Sequence, residues 1–398
     1  MGDYCTVTSS KRIFAEQYVE SGVPFYRSRE IIEKNNNSDI SEPLFISPKV
    51  YENIKAKFGV PQKDDMLLTS VGTIGIPYIV KDEQFYFKDG NLTWMKDFSD
   101  ELSSKYLYYW LSSKFGKESL TNRCIGSSQA ALTIDILKKY KLLIPNRKTQ
   151  DKIVSVLSAY DNLIEVNNKR VKVLEQMVEN LYKEWFVRFR FPGHEEAEFE
   201  DGIPKGWERN HISKFYLTSS GGTPSRDNGE NYDNGTIPWV KTGELQDCLL
   251  VDTEEKITEA AIKKSSAKLF PKDSVLMAMY GVNIGMLAYS TMDATCNQAC
   301  CVFKDKATIS TKHYLFQYLK SIRDYLLLIG FGAAQQNLSQ DLIKRVKIVM
   351  PDKDTLIRFE QEIEPLYDET KLLLKANNNL IQQRDLLLPR LMSGKLEV

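Results

Sequence analysis

GSSQAALTIDILKKYKLLIP, residues 126–145, and GAAQQNLSQDLIKRVKIVMP, residues 332–351, align without a gap, sharing Gly, Gln, Leu, Asp, two Lys and the closing Pro. Working outward, three further blocks repeat in the same order. VPFYRSREI from Val23 answers to IPWVKTGEL from Ile237, KDDMLLTSVGTIG from Lys63 to KDSVLMAMYGVNIG from Lys272, and KYLYYWLSS from Lys105 to HYLFQYLKS from His313. The offset drifts only from 214 (Val23 to Ile237) to 206 (Gly126 to Gly332). Chance similarity does not preserve order over four blocks, so the chain is a tandem duplication with a period near half its length.

Each copy begins with short alternating apolar runs broken by Gly, Pro and Asn, which read as strands and turns. One helix is expected over Tyr106 to Ser113 and its counterpart over Tyr314 to Ser321. The aromatic run Tyr106, Tyr108, Tyr109 and Trp110 reads as core, and Gly72, Gly75, Gly281 and Gly285 as tight turns.

After each copy the pattern changes. Residues Ile153, Leu157, Tyr160, Ile164, Asn167, Val171, Leu174, Val178, Leu181 and Trp185 recur at the alternating spacing of a coiled-coil seam. No Pro or Gly interrupts 147–190, so a helix of about 40 residues is allowed there. The second copy repeats the seam through Leu356, Phe359, Ile363, Leu366, Thr370, Leu373, Asn377, Leu380, Leu387 and Leu391; Pro365 predicts a kink or a late start. One Asn in each seam carries orientation information. Antiparallel pairing lets Asn167 and Asn377 meet, whereas parallel pairing makes them miss by about a heptad. The reading is therefore an α+β chain: 1–146 a mixed globular domain, 147–191 a long helix, 192–351 a second globular domain and 352–398 a second long helix. The two helices form an antiparallel coiled coil with the globular parts at its opposite ends. The first copy begins only about ten residues before Lys11, so it is expected to lack an edge strand, to start further upstream, or to complete itself with another segment.

Composition narrows the function. Hydrophobic residues make up 42% and charged residues 27%, as in soluble globular proteins. No apolar run is long enough for a bilayer, and the polar stretch MGDYCTVTSSKR is not expected to act as a signal peptide. Six Cys without CxxC pairs, beside three His, argue against a zinc site and for a reducing cytoplasm. A phosphate-binding GxxxxGK[ST] loop, the Pro-Pro-aromatic motif of amino-methyltransferases and a nuclease carboxylate cluster fail to appear, and Ile329-Gly330-Phe331-Gly332, faintly like a glycine-rich cofactor loop, reads as a loop-to-helix turn. His194, His211 and His313 read as surface residues. The expectation is no catalytic residue, no metal and no cofactor.

What remains is polar, basic and carried on loops. Lys+Arg and Asp+Glu are both 53, so any basic face must come from distribution. Candidate DNA contacts in the first copy are Lys11, Arg12, Arg27, Ser28, Arg29, Thr73, Ser127, Ser128 and Gln129. In the second they are Thr223, Ser225, Arg226, Lys241, Thr242, Asn283, Gln335, Gln336 and Asn337. Guanidinium, ammonium and hydroxyl groups suit phosphates and guanine edges, while Gln or Asn at a helix opening suits adenine. The competing reading of each is capping and turn chemistry.

SGGTPSR, IPWVKTGEL, the Asn297-Gln298-Ala299 triplet, GAAQQNLS before a strand ending in Pro, FRFPG, DGIPKGWE and the terminal LLLPRLMSGKL together resemble the specificity subunits of Type I restriction–modification enzymes. The resemblance spans nearly the whole chain. It implies two target-recognition domains, each reading half of a bipartite site in double-stranded DNA, and two spacer helices. The helices would set the unread gap and dock two adenine-N6 methyltransferase subunits, to which a motor–nuclease subunit can be added. S-adenosylmethionine and ATP would belong to those partners. Half-sites one helical turn apart, roughly 34–36 Å, are then expected. The rival reading is a coiled-coil scaffold whose globular ends bind other proteins.

Overall fold

The computed structural model describes residues 1–35, 40–121, 131–227, 229–306, 311–330 and 337–397. The chain forms two compact units, residues 1–164 with 380–398, and residues 165–379. Each unit therefore contains part of both long helices.

The first unit is built on a four-stranded antiparallel sheet in the order Thr6–Thr8, Leu92–Lys96, Met66–Thr69, Pro77–Ile79. A second sheet runs Tyr18–Val19, Phe45–Ile46, Val23–Tyr26, Tyr86–Phe87, its last pair parallel. The second unit repeats both plans. Tyr216–Ser220, Cys300–Asp305, Val275–Ala278 and Leu287–Ser290 follow the same order, with Cys248–Leu250 added in parallel. Ile237–Val240 pairs in parallel with Thr295–Cys296, as Val23–Tyr26 does with Tyr86–Phe87. The central strands MLLT and VLMA are buried at every position, which is why they read as continuous apolar runs.

Turn chemistry explains the connections. Gly72, Gly75, Gly281 and Gly285 all have positive φ, a region costly for residues bearing a Cβ. Helices at Ser104–Ser112 and Lys312–Ser321 fall at the expected places, and Tyr106, Tyr109 and Trp110 are buried. Of the Gln and Asn expected to open the two following helices, Asn337 precedes the Gln340–Arg345 helix, and Gln129, Gln335 and Gln336 lie outside the described residues. Thr133 caps Ile134–Lys139 and Ser339 caps Gln340–Arg345, each hydroxyl accepting from an amide three residues on. One difference separates the copies. Lys347–Met350 pairs with Glu208–His211, but residues 141–144 form no strand among the described residues, and Leu143 is 92% exposed.

The long helices span Arg147–Tyr182 and Lys353–Met392. They pair antiparallel within each unit. In the first, Arg384 donates to Asp161 Oδ1 (2.7 Å), which also holds the Tyr109 hydroxyl through Oδ2 (2.6 Å). In the second, Asn167 Nδ2 donates to Asn377 Oδ1 and Asn377 Nδ2 to Asn168 Oδ1, both at 2.8 Å, and Arg170 pairs with Glu369. Asn167 and Asn377 are about 5% exposed, so the amides satisfy one another out of water. Ile153, Leu157, Ile164, Val171, Leu174 and Ile363 are buried, and Leu181, Leu373, Leu380 and Leu387 half-buried. Pro365 does not delay the helix, which runs unbroken from Lys353. Pro365 is exposed, so the carbonyl it leaves without an amide partner can be hydrated.

Candidate nucleic-acid interface

In both copies a strand delivers a basic residue to a turn held by a glutamate three positions later. The Arg27 amide donates to Glu30 Oε2 (2.6 Å), and the Lys241 amide to Glu244 Oε2 (2.7 Å). Glu30 is fully buried and also takes the Arg27 side chain, Nε to Oε1 at 3.0 Å. That hydrogen bond raises the Arg27 pKa. Glu244 uses its other oxygen to accept the Glu254 amide (2.9 Å), and burial pushes its pKa up against these hydrogen bonds. Lys241 is thereby free to reach elsewhere. Its Nζ donates to Glu254 Oε2 (2.8 Å) and Glu255 Oε1 (2.9 Å), and these bonds raise its pKa.

The other cations are also matched. Arg12 Nε pairs with Asp89 (2.8 Å), and Arg29 with Glu33 (3.2 Å) and Glu42 (2.8 Å). Arg226 pairs with Glu255 Oε2 (2.8 Å) and lies 4.3 Å from the Tyr232 ring centroid and 5.6 Å from that of Trp239. Lys11 projects its ammonium over the Phe58 ring at 5.3 Å, while its amide donates to the Tyr86 hydroxyl. Surface pairs of this kind are individually weak and screened by salt. They nevertheless dictate where each cation points before any ligand arrives.

The neutral candidates divide. Ser28 opens the Ser28–Asn35 helix, its hydroxyl donating to the Asn91 carbonyl (3.3 Å). Asn283 commits its amide to the carbonyls of Thr242 (3.0 Å), Leu245 (3.2 Å) and Gly243 (3.3 Å), bracing the turn beyond Lys241. Thr223 bonds Gln298, and the Ser225 hydroxyl accepts from the Asp227 amide (3.3 Å). Thr73 and Asn337 are exposed, and Thr242 is half-buried. Ser127, Ser128, Gln129, Gln335 and Gln336 lie outside the described residues. Gly221 and Gly222 serve packing: a Cβ on the first would sit 1.8 Å from the Cys296 carbonyl oxygen, and the second donates its amide to that same oxygen (2.9 Å).

Sequence reasoning missed the carboxylates. Glu30, Glu42, Asp89, Glu254 and Glu255 position the candidate cations, and only the equality of basic and acidic totals hinted at them. It also misplaced His313, which is 1% exposed rather than on the surface. Its Nδ1 lies 2.5 Å from Glu360 Oε2 and its ring stacks on Tyr367 at 4.0 Å, tying the Lys312–Ser321 helix to the second long helix. Among the described residues no cluster of His, Cys, Asp and Glu could hold a metal ion, and no helix is long and apolar enough to cross a membrane.

Comparison with known proteins places these features in a family. The model for the Type I restriction modification DNA specificity domain matches twice, at residues 1–176 and 204–380. The MjaIX specificity subunit of a Type I restriction enzyme from Methanocaldococcus jannaschii is 28% identical over 354 residues, covering 84% of this chain and 78% of the relative. The HindI specificity subunit from Haemophilus influenzae is 22% identical over 327 residues, 67% of this chain and 71% of the relative. In fold, the crystal structure of a Type I restriction–modification S subunit from M. genitalium superposes with a TM-score of 0.59 at 15% identity, over 98% of this chain and 94% of that one.

Proposed function

This chain belongs to the family of Type I restriction–modification DNA specificity subunits, and from that premise we propose that each unit reads one half of a bipartite site in double-stranded DNA. The observation that carries the reading is the repeated strand edge. One backbone device, a buried-side glutamate gripping the amide after a strand, presents Arg27-Ser28-Arg29 in one unit and Lys241-Thr242-Gly243 in the other. A shared scaffold with different side chains suits two different half-sites, because base edges are discriminated by the donors placed against them.

The chain performs no chemistry itself in this reading. Two adenine-N6 methyltransferase subunits carry S-adenosylmethionine, a motor–nuclease subunit uses ATP, and the assembly works in the cytoplasm. The paired helices set the unread gap and carry the methyltransferases. Support comes from Val166, Val173 and Met177, which leave an apolar stripe exposed on the first long helix, and from Leu372 on the second. Such a stripe, beside a seam that is already filled, suits a further helix-bearing partner.

Adenine-methylation mapping by single-molecule sequencing, in cells carrying this chain and its neighbouring methyltransferase gene, tests the reading. A two-part motif that vanishes on deletion of the chain is expected. Methylation that persists unchanged, with no two-part motif, would instead favour a scaffolding protein.

A further inference from the structure

Lys241 and Arg226 reach one carboxylate from opposite sides. Glu255 gives Oε1 to the Lys241 ammonium (2.9 Å) and Oε2 to the Arg226 guanidinium (2.8 Å). Its backbone is fixed in the Glu255–Ile257 strand opposite Trp239, and its carbonyl accepts the Thr253 hydroxyl (2.7 Å). Arg226 is held on its other side by the Tyr232 ring, yet more than half of its side chain stays open to solvent. Glu254 supplies Lys241 with a second acceptor (2.8 Å) from a mostly exposed position. The first unit reaches a related arrangement with other residues, since Arg29 is shared between Glu33 and Glu42.

Two unpaired cations at a DNA-binding edge would attract phosphate on every duplex, because neutralising phosphates releases counterions whatever the sequence. A carboxylate already bonded to both competes with that attraction everywhere. It is outcompeted only where a site offers both cations well-placed acceptors, such as guanine O6 and N7 for the guanidinium and a further acceptor for the ammonium. Resting on the half-site reading above, we propose that Glu255 is a specificity-determining residue that suppresses sequence-independent DNA binding by occupying Lys241 and Arg226 until a matching half-site displaces it.

The test uses the full chain in two measurements. The first is equilibrium binding to one fixed 40-base-pair duplex of mixed sequence between 50 and 200 mM salt. The second is enrichment of binding sequences from a duplex library with a random core. Each cation released to a phosphate steepens the salt dependence by about 0.9 in log–log slope, or about 3.5-fold in affinity over that salt range. Glu255→Gln keeps the side chain's shape and is expected to bind the fixed duplex several-fold tighter, with a slope steeper by about 1 to 2. It should also yield an enriched motif blurred in one half only. Adding Lys241→Met to that variant should take back about 0.9 of the added slope, the share of one cation, which a merely structural role for Glu255 would not do. A wild-type motif accompanied by an unchanged slope and an unchanged motif in Glu255→Gln would overturn this inference alone. A wild-type chain that enriches no motif would overturn the half-site reading, and this inference with it.

Discussion

Replacing Asn377 by Leu removes the acceptor of Asn167 Nδ2 and the donor to Asn168 Oδ1, both bonds being 2.8 Å long in the native seam. Asn167 and Asn377 are almost wholly buried, so water cannot replace the lost partner without opening the helix pair. An unsatisfied buried polar group costs about 1–3 kcal/mol, and we expect about 2 kcal/mol for Asn377→Leu and a similar loss for Asn167→Leu. The double variant behaves differently, because two Leu complete an apolar seam and leave only Asn168, which is half-buried, to find water. Its net cost should fall below about 1 kcal/mol, giving a coupling of about 3 kcal/mol or slightly more in a double-mutant cycle. Native-state hydrogen exchange of amides between 160 and 180 reads the local stability directly. The double variant should also lose register, since an apolar seam no longer penalises a slip. Additive losses, with the double variant near 4 kcal/mol, would refute the account of the amides as a mutually satisfied pair.

Asp-substitution of Val173 and Met177, both exposed, should leave the helix pairing intact while lowering co-purification of the methyltransferase subunit at least ten-fold; unchanged recovery would move the docking surface elsewhere. His313→Leu strips Glu360 of its imidazole partner and leaves it the amides of His313 and Tyr314, so thermal unfolding of the second unit should lose on the order of 1–3 kcal/mol. Asp352 accepts from the Thr355 amide (3.0 Å) and hydroxyl (2.6 Å) and from Trp207 Nε1 (2.9 Å). Burial alone would raise its pKa, but these hydrogen bonds prevail and hold it below the ordinary 3.8. Its charged form is therefore the one favoured by folding. Asp352→Asn should cost about 1 kcal/mol at pH 7, and the gap to wild type should close as pH falls below about 4, measured by chemical denaturation across pH.

Much of the architecture was legible because it is periodic or repeated. The ordered blocks from Val23 and Ile237 to Pro145 and Pro351 announce a duplication, and the same two sheet plans then occur in both units. Heptad spacing marks the seam, and the offset of Asn167 and Asn377 selects the antiparallel register in which the amides meet. The late start expected at Pro365 does not occur, because its position on the helix, towards solvent, is not written in its identity. His313 misled for the converse reason: an imidazole in a polar stretch reads as surface until Glu360, 47 residues away, is brought against it.

The strand ends that present Arg27 and Lys241 could be anticipated from local pattern; the partners of the cations could not. Arg12 meets Asp89 across 77 residues, and Lys241 meets Glu255 only because two strands pair antiparallel through Trp239. By itself, then, the sequence determined the duplication, the two long helices and their antiparallel register, since these follow from spacing along the chain. Only the tertiary structure decided the distant pairings, Asp89 with Arg12 and Glu255 with Arg226, because charge pairing depends on distances of about 3 Å between groups that the chain's order leaves far apart.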